Sequence, residues 1–266
     1  MDAGALPSAP LAPRPRFAFT GGVSEPQEPP ARTPRTRLGT GRVIVALAAV
    51  ALAVALYWRN GPRPESLPLA TSIDGPPPAH AAGVIVFLHG LGGSISRASG
   101  IAPSLRDAGL PPDYAIVLVE APFSTGLGHS WGQTPEEQAR SRARLRSRLD
   151  ELFGDAGPPR TRVTIAGFSQ GAGVALDMAV EDRRIGAVAS LSPCLSMLRG
   201  DLPKRDDLRI LLAHGNEDAH CPVEESRSLA RVLEAAHKPA QTIEFDGGHV
   251  IPPEVVKRLA AFATAP

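Results

Sequence analysis

The segment that most constrains this chain is the pentapeptide GFSQG at residues 167–171. It follows the apolar run 163–166 and precedes an alanine-rich stretch, 172–179, that favours a helix. A strand that turns sharply into a helix needs glycine on both sides of the turn, because a Cβ there would clash. Such a turn lifts its central side chain above the sheet. The sequence therefore predicts an exposed hydroxyl at Ser169.

Strand-like and helix-like segments alternate from residue 83 onward. Apolar stripes at helical spacing run through Leu149, Leu233 and Leu259, and five arginines at alternate positions from 140 to 148 are expected on an exposed helix surface. Such alternation is typical of a mostly parallel sheet with helices on both faces. The predicted strands are 84–88, 115–119, 163–168, 187–191, 209–213 and 241–245.

A glycine-rich turn, HGLGG at 89–93, comes directly after the first of these strands. Acyl transfer builds negative charge on a carbonyl oxygen, and fixed backbone N–H groups stabilise that charge. A turn of this kind supplies one N–H, and the residue after the serine supplies the other. We therefore predict Leu91 and Gln170 as the oxyanion donors, with an ordinary glycine-rich turn as the alternative.

An acid and a histidine follow the later strands. Asp218 lies just beyond strand 209–213, and His249 follows the last strand, each beside glycine-containing turns. The chain order Ser169, Asp218, His249 is the order of the α/β-hydrolase fold. Asp246 is a rival for the acid, but it lies only three residues from His249, so Asp218 is preferred. The sequence thus predicts an α/β-hydrolase with these three residues as a catalytic triad.

Several motifs together resemble the phospholipase/carboxylesterase family, which includes the acyl-protein thioesterases. The resemblance covers roughly residues 83–264, and it implies Ser169 as nucleophile, His249 as base and Asp218 as the partner of that base. Leu91 and Gln170 would be the oxyanion donors. The motifs are FSQG at 168–171, HGLG at 89–92, Ser130-Trp131, HGxxD ending at Asp218, and Gly248-His249.

Two aromatic residues lie in the loops after the second predicted strand. Trp131 belongs to the Ser130-Trp131 motif of the resemblance, and Phe123 precedes it in the same region. We predict that both line the substrate pocket. Packing within the loops is the alternative for each.

The expected activity is that of a serine hydrolase that cleaves small-molecule or lipid-like carboxylic esters or thioesters through an acyl-enzyme on Ser169. Two alternatives remain: a peptidase or polyester depolymerase of the same fold, and a non-catalytic membrane-tethered hydrolase-like binding protein. The seven histidines and two cysteines show no metal-ligand spacing, so no metal or cofactor is expected. Residues 83–266 carry 20 basic and 22 acidic side chains, which does not suggest a nucleic-acid partner.

The amino-terminal third differs in composition from the rest. Residues 1–42 hold eight prolines and six arginines and are predicted to be a disordered tail. Residues 43–58 are uncharged and, at ~24 Å as a helix, long enough to span a membrane with help from flanking arginines. A signal segment is the alternative. Residues 59–82 are predicted to be a proline-rich linker, and 83–266 the catalytic domain.

The arginines crowd the amino-terminal side of this apolar segment. By the positive-inside rule, the tail stays in the cytoplasm and the anchored catalytic domain is extracytoplasmic. If the segment is a cleaved signal instead, the protein is secreted or periplasmic.

The two cysteines follow neighbouring predicted strands. Cys194 lies after strand 187–191, and Cys221 lies three residues after Asp218. Both loops would emerge at the carboxyl edge of the sheet, where a disulfide could join them in an oxidising compartment. Two unpaired thiols are the alternative.

Overall fold

The structure is a computed structural model. The predicted tail and apolar segment, 1–42 and 43–58, lie outside the residues it describes. In the part of the chain that is described, no helix has the length and apolar character needed to cross a membrane. The described residues are 68–154, 157–194, 205–238 and 240–265.

A seven-stranded sheet forms the centre of the described domain. Its strand order is β1-β3-β2-β6-β7-β8-β9, in which β1 is antiparallel to β3 and the other neighbouring pairs are parallel. Strands β4 and β5 form a separate antiparallel hairpin. The strands of the described residues are β1 Thr71–Asp74, β2 Gly83–Leu88, β3 Tyr114–Val119, β4 Phe123–Thr125, β5 Gly128–Ser130, β6 Val163–Phe168, β7 Ala187–Leu191, β8 Arg209–Gly215 and β9 Gln241–Phe245.

Helices cover both faces of this sheet. Helices α3, α4 and α5 pack on one face, and α2 and α6 pack on the other. They are α1 Ile95–Ala98, α2 Ile101–Asp107, α3 Pro135–Phe153, α4 Gln170–Glu181, α5 Val223–Ala235 and α6 Pro253–Thr264, with short 3-10 helices at Pro78–His80 and Arg160–Arg162.

Alternate residues of the central strands face the two helical layers. In β2, Val84 and Val86 pack in the cluster that contains α3 and α4, whereas Ile85 and Phe87 pack in the cluster that contains α2 and α6. All four side chains are buried. A parallel strand covered on both faces reads as a continuous apolar run, which is why the sequence predicts these strands well.

The predicted strands correspond to β2, β3, β6, β7, β8 and β9, with ends that differ by at most two residues. The prediction missed β1, because Thr71–Asp74 is a short, largely exposed strand without a strong apolar pattern. The linker predicted over 59–82 is therefore wrong in its second half. Within 68–82, β1 pairs with β3, and Leu69 is buried in the core. The folded domain begins by residue 68 and not at residue 83.

Helix α3 begins with a capping box. The Thr134 hydroxyl accepts from the Glu137 N–H, the Glu137 carboxylate accepts from the Thr134 N–H, and Pro135 occupies the first turn. One of the arginines expected on its exposed surface is instead buried. Arg142 donates to Asp177 at 3.2 Å and to Glu181 at 2.8 Å, which ties α3 to α4.

The order of the strands creates a crevice at the carboxyl edge of the sheet. After β2 the chain continues to β3 on one side, whereas β6 pairs with β2 on the other side. The loops that follow β2 and β6 therefore lead in opposite directions and leave a gap between them. In open α/β sheets, ligands bind at such a switch point.

Candidate active site

Ser169 lies at the turn between β6 and α4, with φ 56° and ψ −120°. A non-glycine residue in this region costs about 1–3 kcal/mol and needs support from its surroundings. The Ser169 N–H donates to the Leu191 carbonyl at 3.0 Å. A Cβ on Gly167 would overlap the Gly171 carbonyl, and one on Gly171 would overlap the Leu88 carbonyl. Glycine at both positions is therefore what permits the turn.

Asp218 and His249 meet at the same edge of the sheet. The distance from His249 Nδ1 to Asp218 Oδ2 is 2.6 Å. The other carboxylate oxygen, Oδ1, accepts from the N–H groups of His220 and Cys221, each at 2.9 Å. The Asp218 side chain is fully buried, and the His249 side chain is 15% exposed. The histidine thus presents its ring to the crevice while the acid is enclosed.

These contacts keep the Asp218 carboxyl ionised. Burial by itself would raise its pKa, but the hydrogen bonds from Cys221, His249 and His220 outweigh burial and lower the pKa below its usual value. An ionised carboxylate only accepts hydrogen bonds, so His249 Nδ1 carries the proton between them. Of the two ring nitrogens, Nε2 is then the one that does not face the carboxylate.

The imidazole of His249 is also held by aromatic rings. The centre of the Phe168 ring lies 4.7 Å from the centre of the His249 ring. The His220 ring stacks on the His249 ring with 5.2 Å between their centres. Asp246, the rival acid, accepts from the Asn216 side chain at 2.8 Å. Of the two candidate acids, the structure brings Asp218 to His249 Nδ1.

The loop after β2 approaches the serine from the other side. A Cβ on Gly90 would lie 3.1 Å from the Ser169 Cβ, so this loop packs directly against the turn. The Gly92 N–H donates to the His129 carbonyl at 2.8 Å, and the Gly93 N–H donates to the Gly90 carbonyl at 3.0 Å. Leu91 lies between Gly90 and Gly92, and its side chain is 57% exposed.

His89 supports this loop as a neutral imidazole. Its Nε2 accepts from the Ala121 N–H at 3.1 Å, so Nδ1 carries the hydrogen and donates to the Gly90 carbonyl at 2.8 Å. Burial lowers the pKa of His89, although the hydrogen bond to Gly90 opposes that effect. His89 is therefore uncharged at neutral pH.

The side chain of Gln170 anchors the segment that follows the hairpin. Its Oε1 accepts from the Trp131 N–H at 2.9 Å, and its Nε2 donates to the Gly132 carbonyl at 2.9 Å. The Trp131 indole N–H donates to the His89 carbonyl at 2.8 Å. From the sequence, only a backbone role was predicted for Gln170. An amide side chain beside the serine, able to donate and accept at once, was the available sequence signal.

Sequence comparison identifies the family of this chain. A sequence model of the phospholipase/carboxylesterase family matches residues 134–265. Acyl-protein thioesterase 1 of Yarrowia lipolytica is 31% identical over 162 residues, which cover 53% of this chain and 70% of that protein. The chain belongs to the phospholipase/carboxylesterase family. It is a hydrolase of the carboxylesterase/thioesterase type.

Solved structures show the same fold. Esterase PE8 superposes with a TM-score of 0.63 at 22% identity, covering 74% of this chain and 98% of its own. A carboxylesterase from Mesorhizobium loti superposes with a TM-score of 0.62 at 16% identity. The match covers 74% of this chain and 95% of the carboxylesterase chain. At these identities the likeness concerns the fold alone. The predicted α/β-hydrolase fold is confirmed.

A cavity of about 530 Å³ opens beside the serine turn of this hydrolase. Its size lies in the range of small-molecule sites. Neither Ser169 nor His249 is part of the lining, but Phe168 and Gly90, which lie against them, are. Other lining residues include Leu91, Arg97, Ile101, Ser104, Ile251 and Val256.

The two aromatic residues predicted for the substrate pocket do not line this cavity. Trp131 is 0% exposed and lies in the core, where its carbonyl accepts from Ser141 of α3 at 2.7 Å. Phe123 lies in β4, half-buried, with the Arg140 guanidinium 5.4 Å from its ring centre. The predicted pocket role is wrong for Trp131, because its ring has no exposed surface. The pocket role of Phe123, which is half-buried in β4, stays a prediction.

Cys194 and Cys221 are joined in a disulfide, with their Cα atoms 5.1 Å apart. The bond links the loop after β7 to the loop that carries Asp218. Since the Cys221 N–H donates to Asp218, the disulfide fixes a residue that is directly hydrogen-bonded to this carboxylate. The two loops meet because β7 and β8 are neighbours in the sheet.

His214 supports the loop that carries Asp218. Its Nε2 lies 2.8 Å from the Cys221 carbonyl and 3.3 Å from Asp218 Oδ2, and its Nδ1 lies 2.7 Å from the Ser226 hydroxyl. The ring is 1% exposed. The ring is thus enclosed beneath the Asp218 loop, and the position of His214 before a glycine at a strand end was the available sequence signal.

Proposed function

We propose that this chain cleaves carboxylic esters or thioesters through an acyl-enzyme intermediate on Ser169. The observation that carries the proposal is the 2.6 Å contact between His249 Nδ1 and the buried Asp218 carboxylate, at the sheet edge from which Ser169 also projects. A serine hydroxyl is a weak nucleophile until an imidazole accepts its proton. An imidazole oriented by a fixed carboxylate supplies that base.

The reaction follows from these positions. Ser169 Oγ forms a bond to the substrate carbonyl carbon as His249 Nε2 takes its proton, and the ionised Asp218 stabilises the imidazolium. The tetrahedral intermediate then expels the alcohol or thiol, which leaves with the proton from His249. Water attacks the acyl-enzyme in the same way, releases the carboxylic acid and regenerates the serine.

The negative charge of the intermediate would be met by the N–H groups of Leu91 and Gln170. Gln170 is the first residue of α4, so its N–H has no acceptor within the helix. The N–H groups of Gly92 and Gly93 are engaged by His129 and Gly90, which supports Leu91 as the donor of that loop. Each oxyanion donor is worth about 2.7–4 kcal/mol in comparable enzymes.

A fluorophosphonate probe tests the nucleophile. It should label the wild-type protein and the Ser147→Ala control, whose serine is exposed on α3 far along the chain from the site. The label should be lost in Ser169→Ala. The same variant should lower kcat for a short-chain ester by at least ~10³-fold. Absence of labelling in the wild type would favour a non-catalytic binding protein instead.

The substrate class is tested by a panel of p-nitrophenyl esters, S-acyl peptides, peptide amides and a soluble polyester. The similarity to acyl-protein thioesterase 1 supports turnover of the S-acyl peptides. Faster cleavage of peptide amides or of polyester would favour the peptidase or depolymerase alternative.

We also propose that residues 43–58 anchor the protein, with the catalytic domain extracytoplasmic. The disulfide supports this location, because such bonds persist in oxidising compartments. A reporter joined after residue 66 should be active only outside the cytoplasm, and the full-length protein should stay with the membrane. Release of a shortened soluble protein would indicate a cleaved signal.

A further inference from the structure

The 530 Å³ cavity beside the serine turn has a definite chemical character. Its walls come from the loop after β2, from α2 and from the start of α6. Phe87, Ile101, Phe168 and Val256 make most of this surface apolar. A second cavity of about 370 Å³ shares Ser104, Ile251 and Val256 with it, so the space continues along α6, where Asp107 and Lys257 also line it. The connected space can therefore hold an extended hydrocarbon chain as well as a compact group.

Within the described residues, Arg97 is the one permanently charged side chain that lines the 530 Å³ cavity. The other titratable group of the lining, His89, is held neutral by burial. The cavity therefore carries a positive charge. An apolar wall with one cation favours a ligand that is apolar along its length and anionic at one point.

The guanidinium of Arg97 is held in place and only partly used. Nη1 of Arg97 donates to the Gly92 carbonyl at 2.6 Å, and the backbone N–H of Arg97 donates to the Ser94 hydroxyl at 3.2 Å. A guanidinium has five N–H donors. Among the described residues, no carboxylate lies within 4.0 Å of this one, so it can bind an anion from outside the protein.

We propose that this cavity binds a part of the substrate that carries a short apolar chain ending in a carboxylate, and that Arg97 binds this carboxylate. The inference rests on the proposed hydrolase reaction at Ser169 and names the substrate class of that site. Arginine and carboxylate match in geometry and form strong paired hydrogen bonds. Gly90 packs against Ser169, and Gly92 lies two residues further along the loop, so the carboxylate is expected within roughly 10 Å of the serine.

The carboxylate can belong to the acyl group or to the leaving group, and two substrate pairs separate these cases. The first pair is the mono-p-nitrophenyl ester of adipic acid and the same ester with its free carboxylate methylated. The second pair is the butanoyl ester of 4-hydroxybenzoic acid and that of its methyl ester. In one of the pairs, the wild-type enzyme should show a higher kcat/KM for the anionic member.

Arg97→Gln is the informative variant. For the preferred anionic substrate, kcat/KM should fall about tenfold or more beyond the fall for the neutral partner, as expected when a hydrogen bond between charged groups is lost. Arg97→Lys should restore part of the difference, and 0.5 M salt, a condition that screens exposed charges, should reduce it. Arg231→Gln, an exposed arginine on α5, is the matched control and should leave the ratio unchanged.

Arg97 also supports the Gly92 carbonyl, so a merely structural role would lower both members of a pair equally. An equal fall in Arg97→Gln would overturn the proposal. So would a wild-type enzyme that shows no anionic preference in either pair.

A binding measurement keeps this inference separate from the proposed reaction. Calorimetry with Ser169→Ala and each anionic ester should detect binding that weakens with salt and is lost in Ser169→Ala/Arg97→Gln. If no ester is turned over but this binding is present, the proposed reaction fails and the anion site stands. If neutral esters are hydrolysed and no Arg97-dependent binding occurs, the anion site fails and the reaction stands.

Discussion

The two loop regions that flank Ser169 are built in different ways. The acid–base region consists of 215–221 and 247–249, and it is fastened by a disulfide and by a buried carboxylate with several donors. The oxyanion loop, 89–94, has no such covalent link. It is held by backbone hydrogen bonds to the β4–β5 hairpin and by the neutral ring of His89.

The difference follows from what each region does in the proposed reaction. The acid–base region must keep a buried negative charge beside an imidazole that becomes positive, so any loss of a donor leaves a costly charge. The oxyanion loop offers neutral N–H groups, whose effect depends on position alone. We therefore expect the first region to be sensitive to changes in charge and the second to be sensitive to changes in shape.

The largest expected effect is that of a charge change in the acid–base region. Asp218→Asn should lower kcat by ~10⁴-fold, because the amide stabilises the wrong tautomer of His249. Steady-state kinetics with a p-nitrophenyl ester measures the loss. Asp246→Asn is the control and should remain near wild type, since Asp246 binds Asn216 and not His249. The reverse result would make Asp246 the acid.

A change of shape in the oxyanion loop should have the next largest effect. A Cβ on Gly93 would lie 2.7 Å from His89 Nδ1 and 2.8 Å from the Gly90 carbonyl, so Gly93→Ala must displace the loop. We expect kcat to fall by about 10²–10³-fold, the loss that follows removal of one oxyanion donor. Gly126→Ala, where a Cβ meets nothing within 4 Å, is the matched control. Equal kinetics for the two variants would show that the loop does not need its present shape.

Removal of the disulfide should act on stability. The double variant Cys194→Ser/Cys221→Ser should lower the free energy of unfolding by roughly 3 kcal/mol, as expected for a loop of this length. Denaturant unfolding measures this change. The wild type unfolded under reducing conditions should match the variant. We expect kcat to fall more than KM changes, because Cys221 donates to Asp218. An unchanged midpoint would mean that the acid loop is held without its covalent link.

Acid should weaken the two regions in different pH ranges, and this is the smallest effect. The lowered pKa of His89 favours its neutral form, so the stability it contributes is lost as the pH falls below about 6.5. The lowered pKa of Asp218 favours its ionised form, so its contribution is lost only as the pH falls below about 3.9. Unfolding midpoints are measured from pH 8 to pH 3 for the wild type, His89→Gln and Asp218→Asn. The midpoint of each variant should approach that of the wild type, His89→Gln below about pH 6.5 and Asp218→Asn below about pH 3.9. Convergence at the same pH would contradict the comparison.

Much of the fold could be predicted because its signals are local. The central strands are continuous apolar runs, and the turn at Ser169 is marked by glycines on both sides. The choice of Asp218 over Asp246 was also a local argument, and the structure brings Asp218 to His249. Strand β1 was not predicted, because this exposed edge strand has no apolar pattern of its own. Its stability comes from pairing with β3.

The sequence by itself determined the strand order along the chain, the strained turn and the residues that follow each strand, since these depend on patterns a few residues long. The tertiary structure alone decided that Trp131 is buried, that Arg142 pairs with two carboxylates across α3 and α4, and that an apolar cavity opens beside Arg97. The burial of a side chain depends on which distant elements pack over it, and no periodicity within one segment contains that information.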